Sequence, residues 1–332
     1  MFHKLILPFI IFSLLLTSCD EDVSKRTLPN STGSSGELII VVDTAYVNNR
    51  TGDALETVFM EELYGVPRSE PLFNVVTVPP KGFTSMLKVV RNILQIDINA
   101  ANKPEIKVQN DVFSKDQLII TIAAKTDQSA SNILIKNKEK LQQLFNQEEV
   151  KRTKNRLLKN VEKEKQKSLL TKHGHTVAFP KEYFLSMDSA DFFFIRKNKE
   201  VGEHQILQGL MVYSYPYLSD SDFVATSIVQ NMERFTQNIV SQPKGFMQVE
   251  RQYPVLSDEV NFNGNYAMEL SGLWRMEGIF MGGSFFNYTF SNTDNSKLIG
   301  IYGFVYAPKF DHREYLRELK ALAYTFTEGD GK

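Results

Sequence analysis

The chain contains a single cysteine, Cys19, so no disulfide bond within it can stabilise the fold. A chain without such cross-links must bury a hydrophobic core, and 332 residues are enough for one large core or two ordinary ones. The formal net charge is −1. Proteins that bind nucleic acid need a strongly basic surface, so no nucleic-acid partner is expected.

The residues before Cys19 have the order of a bacterial lipoprotein signal. Lys4 supplies a positive charge, residues 5–16 form an apolar run, and the small residues Thr17 and Ser18 lead into Cys19. A membrane-spanning helix needs about 20 apolar residues, so this run is too short to remain as a span. The pattern predicts a signal peptide over 1–18, cleavage before Cys19 and lipidation of its thiol. The alternative is an ordinary secretory signal beside a chance cysteine.

The segment after Cys19 is polar and rich in small residues. Asp20, Glu21 and Asp22 come first, and residues 30–36 (NSTGSSG) follow. This composition predicts a flexible tether over 19–36 that holds the folded part away from the lipid. The acidic triplet is either a sorting signal or a solvated part of the tether.

Residues 37–127 mix strand and helix patterns without strict alternation. Residues 37–43 (ELIIVVD) form a continuous apolar run, which indicates a buried strand, and residues 53–63 have the apolar spacing of an amphipathic helix. Further short strands follow up to residue 123. We expect an α+β half rather than a doubly wound sheet.

Residues 128–175 predict one long charged helix that links two halves. Twelve Lys or Arg residues and five Glu residues lie between Lys136 and Lys172, around a broken apolar stripe. Gly174 is a suitable helix stop. The basic face either lies on anionic lipid or is simply solvated.

Residues 176–330 predict a second α+β half, with strong strand patterns at 209–217, 267–274, 283–291 and 297–306. Amphipathic helices are expected at 222–240 and 315–326. The predicted fold is therefore α+β, with two halves of mixed or antiparallel sheet joined by the linking helix behind the signal peptide and tether.

Aromatic residues in the second half are the candidate ligand-binding groups. Trp274, Phe286 and Tyr288 lie around a predicted turn at Gly282 and Gly283. Aromatic side chains on a pleated surface can stack on sugars or peptides, although they can equally form the core. The three residues predict an aromatic-lined groove.

The titratable residues give no recognisable catalytic or metal-binding motif. His173 and His175 are close in sequence, but no H-E-x-x-H run or cysteine cluster accompanies them, so neither a metal nor another cofactor is expected. Asp53 is expected to cap a helix. Asp43 and His175 are the candidates if the chain is a hydrolase.

Several segments together resemble one family. They are residues 52–59, 70–73, 91–94, 209–217, 269–286 (ELSGLWRMEGIFMGGSFF) and 302–326. The chain is similar to a family of Bacteroidota envelope lipoproteins defined by a domain of unknown function, DUF4837. The resemblance runs over nearly all of the chain after Cys19. It implies an outer-membrane lipoprotein with Cys19 as the lipidated residue, favours surface export for the acidic triplet, and supplies no catalytic residues.

Three functions are consistent with these features. The first is a non-catalytic envelope lipoprotein, anchored through Cys19, that binds a protein partner or assists envelope assembly. The second is a surface protein that binds a glycan or small ligand through the aromatic groove. The third is an unrecognised hydrolase. The sequence does not decide which face of the outer membrane the protein occupies.

Overall fold

The computed structural model describes residues 27–241 and 245–329. The predicted signal peptide over 1–18, Cys19 and the acidic triplet lie outside the described residues. Within the described ranges the chain forms eight α-helices and sixteen strands, and the predicted α+β class is confirmed. No helix in these ranges is long and apolar enough to cross a membrane.

The first half is a five-stranded sheet with helices on one face. Its elements are β1 (Glu37–Val41), α1 (Thr44–Val47), α2 (Arg50–Phe59), β2 (Asn74–Val78), α3 (Ser85–Lys88), β3 (Asn92–Ile98), β4 (Glu105–Asn110), β5 (Leu118–Ala124) and α4 (Asp127–Lys136). Strand β1 pairs in parallel with β2 on one side and with β3 on the other. Strand β5 pairs in parallel with β3, and β4 pairs with β5 in the antiparallel direction at the edge. The strand order is β2-β1-β3-β5-β4.

The last residues of the predicted flexible tether are part of this folded half, which corrects the prediction for 29–36. The backbone N–H of Thr32 donates to Val89 O at 2.9 Å, and Lys115 N donates to Pro29 O at 2.8 Å. Small polar residues are typical of free linkers, but they also fit a segment that runs close against neighbouring backbone. The described chain therefore enters the fold at residue 29 rather than at β1.

The predicted linking helix over 128–175 is divided into three helices: α4, α5 (Lys138–Leu158) and α6 (Lys163–His173). Asn137 separates α4 from α5, and its side-chain Nδ2 donates to Ile133 O at 2.8 Å. Between α5 and α6 the backbone pairs with another segment, because Glu162 N donates to Phe179 O at 2.8 Å. Tertiary pairing therefore interrupts a sequence whose local pattern is helical throughout.

The second half contains a nine-stranded antiparallel sheet. The elements of this half are β6 (His175–Thr176), β7 (Phe184–Asp188), β8 (Phe192–Val201), β9 (His204–Pro216), α7 (Ala225–Thr236), β10 (Val240–Ser241), β11 (Gly245–Val249), β12 (Leu256–Phe262), β13 (Asn265–Met276), β14 (Gly282–Ser291), β15 (Lys297–Tyr306), α8 (Arg313–Ala323) and β16 (Thr327–Glu328). The main strand order of the sheet is β10-β11-β13-β14-β15-β9-β8-β7, and β12 pairs with β13 beside β11. A separate two-stranded sheet joins β6 to β16.

Helices cover both faces of the nine-stranded sheet. Leu157 of α5, Leu169 of α6 and Leu319 of α8 pack on one face, and Ile228 and Phe235 of α7 pack on the other. The central strands β9, β14 and β15 are therefore buried along most of their length, as expected for strands that are covered on two sides.

Helix α5 belongs to the cores of both halves. Leu141 and Phe145, near its start, pack in the core of the first half, and Leu157, near its end, packs in the core of the second. The same helix carries Glu149, which is fully buried. A single 21-residue helix thus fixes the two halves against each other.

Candidate binding cleft between the two halves

The loop between α2 and β2, residues 61–73, crosses from the first half to the second. The Tyr64 hydroxyl donates to Pro254 O at 2.6 Å, and Arg68 Nη2 donates to Pro308 O at 2.6 Å. At Gly65, where φ is +73°, a Cβ atom would come within 3.2 Å of the Gly272 nitrogen. The loop therefore needs glycine at this point to lie against β13.

A cleft of about 580 Å³ lies between this loop and the nine-stranded sheet. Pro67 and Arg68 form the wall on the loop side, and β13, the β13–β14 turn and the segment after β15 form the opposite side. Small-molecule sites have volumes of about 300–1,000 Å³ and occur preferentially between structural units. The size and the position of the cleft are therefore those of a small-ligand site.

Apolar side chains dominate the sheet side of the cleft. Trp274, Ile279, Phe280 and Met281 line it, and the Phe280 side chain is fully exposed, at 109% of its reference area. Tyr253, also at the cleft, is 56% exposed. Exposed large apolar side chains beside a cavity are a feature of binding surfaces.

The charged groups of the cleft are two arginines and one glutamate. Arg275 Nε lies 3.7 Å from Glu250 Oε2. The exposed Arg68 donates to Pro308 O through Nη2, and a guanidinium has five N–H groups in all. Guanidinium groups bind carboxylates and phosphates in a planar, two-pronged geometry. The cleft can therefore bind a ligand that carries both an apolar group and an anionic group.

His312 lines the inner part of the cleft in a neutral form. Burial lowers the pKa of its imidazole to about 4. Its Nε2 lies 3.2 Å from Ala307 O, and its Nδ1 lies 3.0 Å from the Ser284 hydroxyl. A carbonyl oxygen only accepts, so Nε2 carries the proton and Nδ1 accepts from Ser284.

The Ser284–His312 contact has the distance of a nucleophile and its base, but Ser284 is fully buried. Its hydroxyl is therefore not open to a substrate in the cleft. The contact instead satisfies two buried polar groups and holds the imidazole in place. Glu70 supports the same region, because its carboxylate accepts from the backbone N–H groups of His312 and Arg313 at 2.5 and 2.8 Å.

The three aromatic residues predicted from the sequence to form a groove are buried, which corrects that prediction. Trp274, Phe286 and Tyr288 are each about 1% exposed. Trp274 packs on the α7 side of the sheet, whereas Phe286 and Tyr288 pack on the α8 side. Side chains alternate between the two faces of a strand, so the three cannot line one groove. Trp274 alone lines the cleft.

The two histidines near the end of α6 lie apart from the cleft. His173 Nε2 lies 2.8 Å from Asp188 Oδ1. His175 is buried, its pKa is lowered to about 4 because burial disfavours the charged form, and its Nε2 has no partner in the described structure. Across residues 27–241 and 245–329, no group of three or more His, Cys, Asp and Glu side chains is arranged to hold a metal ion.

The predicted carboxylate positions have structural roles at helix ends. Asp43 caps α1, with its Oδ1 accepting from Ala45 N at 2.9 Å. Asp53, predicted as the cap of the following helix, instead lies in the first turn of α2, which Asn49 precedes. The helix begins three residues earlier than predicted because Thr51 N donates to Asp127 Oδ1, a contact that the local sequence does not show.

Sequence reasoning did not identify Arg68 or Tyr253 as site residues. One signal for Phe280 is present, because Ile279, Phe280 and Met281 form an apolar triplet between Gly278 and Gly282. Turns between antiparallel strands are normally polar, so an apolar turn indicates a surface with another purpose. Arg68 carries no such signal, since its role depends on a contact with a residue 240 positions away.

Two family models match the chain. Residues 162–325 match DUF4837, a domain of unknown function, and residues 31–158 match DUF8532, another domain of unknown function. The matches therefore support domains of unknown function in this chain. The DUF4837 match covers a narrower region than the resemblance predicted, and the two matches meet between α5 and α6.

A search of curated proteins finds no match to this chain. Among solved structures, a crystal structure of a protein from Bacteroides thetaiotaomicron VPI-5482 is similar at 8% identity and a TM-score of 0.26, covering 48% of this chain and 47% of that chain. The chain thus spans about half the length of that protein. A mutant of the Mog1 protein is similar at 12% identity and a TM-score of 0.28, covering 47% of this chain and 92% of that chain.

Proposed function

We propose that this chain is a non-catalytic binding protein of the bacterial cell envelope, anchored to the outer membrane through lipid on Cys19. The support for the anchor is the order of Lys4, the apolar run and the Thr17–Ser18–Cys19 sequence. Two or three acyl chains on one cysteine anchor a protein far more firmly than a single chain.

The ligand class that the cleft fits best is an apolar group that carries a carboxylate or phosphate. The single observation behind this choice is that the cleft combines an apolar wall around Phe280 with the guanidinium groups of Arg68 and Arg275. Only Glu250 opposes these two positive charges among the charged side chains that line the cleft. A bound anion would therefore meet a net positive site.

A surface glycan is the second candidate ligand. Tyr253 and Phe280 are both more than half exposed at the cleft, and exposed aromatic rings can stack on the apolar faces of sugars. This candidate differs from the first because neutral sugars do not need Arg68 or Arg275.

The anchoring is tested in cells with a C-terminally tagged chain and a Cys19→Ala variant. The wild-type chain is expected in the membrane fraction and in the detergent phase, and the variant in the soluble fraction. Protease added to intact cells then separates a surface protein, which loses the tag, from a periplasmic one, which keeps it. Equal partitioning of both chains would overturn the anchor.

The ligand class is tested with 8-anilinonaphthalene-1-sulfonate, an aromatic anion whose fluorescence reports binding. Arg68→Gln and Phe280→Ser are expected to weaken binding by about tenfold each, because each removes a contact of about 1.4 kcal/mol. Leu218→Ser is the control, since Leu218 is 83% exposed and does not line the cleft. Weakening by Phe280→Ser alone would instead favour an uncharged ligand such as a glycan.

A further inference from the structure

The described chain begins on one particular side of the first half. Residues 29–32 run along two loops, 81–90, which contains the one-turn helix α3, and 111–116; together the loops form a surface that we call the exit face. Besides the bonds from Thr32 and Lys115, Arg91 N donates to Thr32 O at 3.0 Å, and isolated bridges join Asn30 to Lys115 and Thr32 to Val90. The first described residues are thus held on this side of the fold by backbone hydrogen bonds.

The two loops of the exit face form one packed unit. Gln117 Nε2 donates to Lys88 O at 2.6 Å and to Val90 O at 2.7 Å, and the Ser114 hydroxyl donates to Val89 O at 3.0 Å. A buried glutamine with two backbone partners holds its neighbours firmly. The exit face is therefore a preformed surface.

Apolar and basic side chains are exposed together on this face. Met86 is 78% exposed, Val112 is 36% exposed, and Phe113 is half-buried beneath the Lys88 ammonium, which lies 5.7 Å from its ring centroid. Lys81 and Lys115 are exposed, as are Asp111 and Asp116, so the charged side chains of the face are three lysines and two aspartates, a small positive excess. Within the part of the chain that the structure describes, none of these three lysines lies within 4.0 Å of a carboxylate. Apolar side chains flanked by lysine are typical of surfaces that rest on lipid headgroups.

The length of chain between Cys19 and the exit face is short. Pro29 is ten positions after Cys19, and ten residues of chain span at most about 35 Å when fully extended. A compact chain of about 300 residues is roughly 50 Å across. Because residues 29–36 are held in the fold, a lipidated Cys19 keeps the exit face closer to the membrane than the opposite side of the molecule.

We propose that the exit face rests on the surface of the membrane that holds the Cys19 lipid, with Met86 and Val112 between the headgroups and the lysines at the phosphates. This inference depends on the proposed anchoring. It adds an orientation of the protein on the membrane. In this orientation the first half faces the bilayer, and loops 81–90 and 111–116 contact the lipid.

The test uses the lipidated full-length chain in vesicles of phosphatidylethanolamine and phosphatidylglycerol. Met86→Cys and, as a matched control, Leu218→Cys each provide one free thiol, since Cys19 is the only natural cysteine and carries the lipid. Each thiol is labelled with an environment-sensitive fluorophore, and nitroxide-bearing lipids are added as quenchers. Both native side chains are strongly exposed, at 78% and 83%.

The label at residue 86 is expected to shift to shorter wavelength and to lose at least half of its fluorescence to the lipid quencher. The label at residue 218, on the second half, is expected to keep the emission wavelength of a label in water and to lose little fluorescence to the lipid quencher. Equal quenching at both positions, or none at residue 86, would overturn the proposed orientation. Flotation of the vesicles reports anchoring separately, because an unlipidated chain fails to float whichever face it presents.

Discussion

The Glu70 carboxylate accepts a hydrogen bond at 2.8 Å from the backbone N–H of Arg313, the first residue of α8. The residue before α8, His312, provides no side-chain cap, so a loop of the first half caps a helix of the second. The first N–H groups of a helix have no partners within the helix and need such an acceptor. This contact fixes the loop that forms one wall of the cleft.

Glu70→Ala is expected to lower the free energy of unfolding by about 1–3 kcal/mol, because it leaves two buried N–H groups without an acceptor. Urea unfolding followed by circular dichroism measures the change. Glu62→Ala is the matched control in the same loop, where Glu62 is exposed and accepts from the Ser69 hydroxyl. A Glu70→Ala protein as stable as the Glu62→Ala protein would contradict the capping role.

Glu149→Ala is expected to destabilise the protein by about 3–5 kcal/mol, because the fully buried carboxylate accepts from Arg152 at 3.0 Å, Arg91 at 3.2 Å and Asn92 at 2.7 Å. Its removal leaves the buried Arg152 guanidinium without its main partner. The adjacent Glu148→Ala is the control. Glu148 pairs with the exposed Lys151 at 3.1 Å and lies 4.0 Å from Arg152 Nε, and weak or solvent-exposed pairs contribute about 1 kcal/mol or less each. Equal losses in the two variants would refute this account.

Gly36→Ala is expected to be more destabilising than Gly202→Ala. Both glycines have positive φ, +75° and +60°, so alanine is strained at either position. A Cβ at position 36 would also come within 2.9 Å of Glu314 Oε1 and 3.1 Å of Arg313 Nη2, whereas nothing lies within 4 Å at position 202. Thermal unfolding of the two variants isolates the packing contribution, and equal melting temperatures would mean that residue 36 is not packed against α8.

Protonation of His175 is expected to lower the free energy of unfolding as the pH falls. Its pKa in the folded protein is about 4, below the value of about 6.5 for an exposed histidine, so the folded state binds fewer protons. The stability that the neutral imidazole contributes is complete above pH 6.5 and is lost between pH 6.5 and pH 4, up to about 3 kcal/mol.

His175→Phe is expected to remove that loss, because the phenyl ring would pack beside Phe193 and Phe326 without titrating. Unfolding free energies measured at pH 7, 6, 5 and 4 provide the comparison, with the half-exposed His204→Phe as the control. An unchanged pH dependence in His175→Phe would show that the buried imidazole does not contribute to it.

Local patterns predict the elements of this fold better than its tertiary contacts. The apolar run at 37–43 and the amphipathic pattern at 315–326 correspond to β1 and α8 with small shifts at their ends. The helix pattern at 128–175 does not reveal the breaks, because the pairing of Glu162 with Phe179 depends on where the second half folds back. Side chains alternate along each strand, but this alternation alone does not show that Trp274 and Phe286 lie on opposite faces of the sheet. Their relative orientation depends on the register between β13 and β14, which the sequence does not show.

The cleft was least predictable because its walls come from distant parts of the chain. Tyr64 and Pro254 are 190 positions apart, and Arg68 and Pro308 are 240 positions apart. No periodicity within residues 61–73 encodes these partners. Apart from Trp274, the apolar turn at 279–281 is the part of the site that local sequence indicates.

The most direct test of the proposed binding cleft uses Trp274, which is the only tryptophan of the chain and lines the cleft. The purified protein is titrated with brominated dodecanoate, an apolar carboxylate whose bromine atoms quench a tryptophan that they contact. We predict saturable quenching in the wild-type protein, at least tenfold weaker affinity in Phe280→Ser and wild-type affinity in Leu218→Ser. The absence of saturable quenching, or equal quenching in all three proteins, would contradict a ligand site for apolar anions in this cleft.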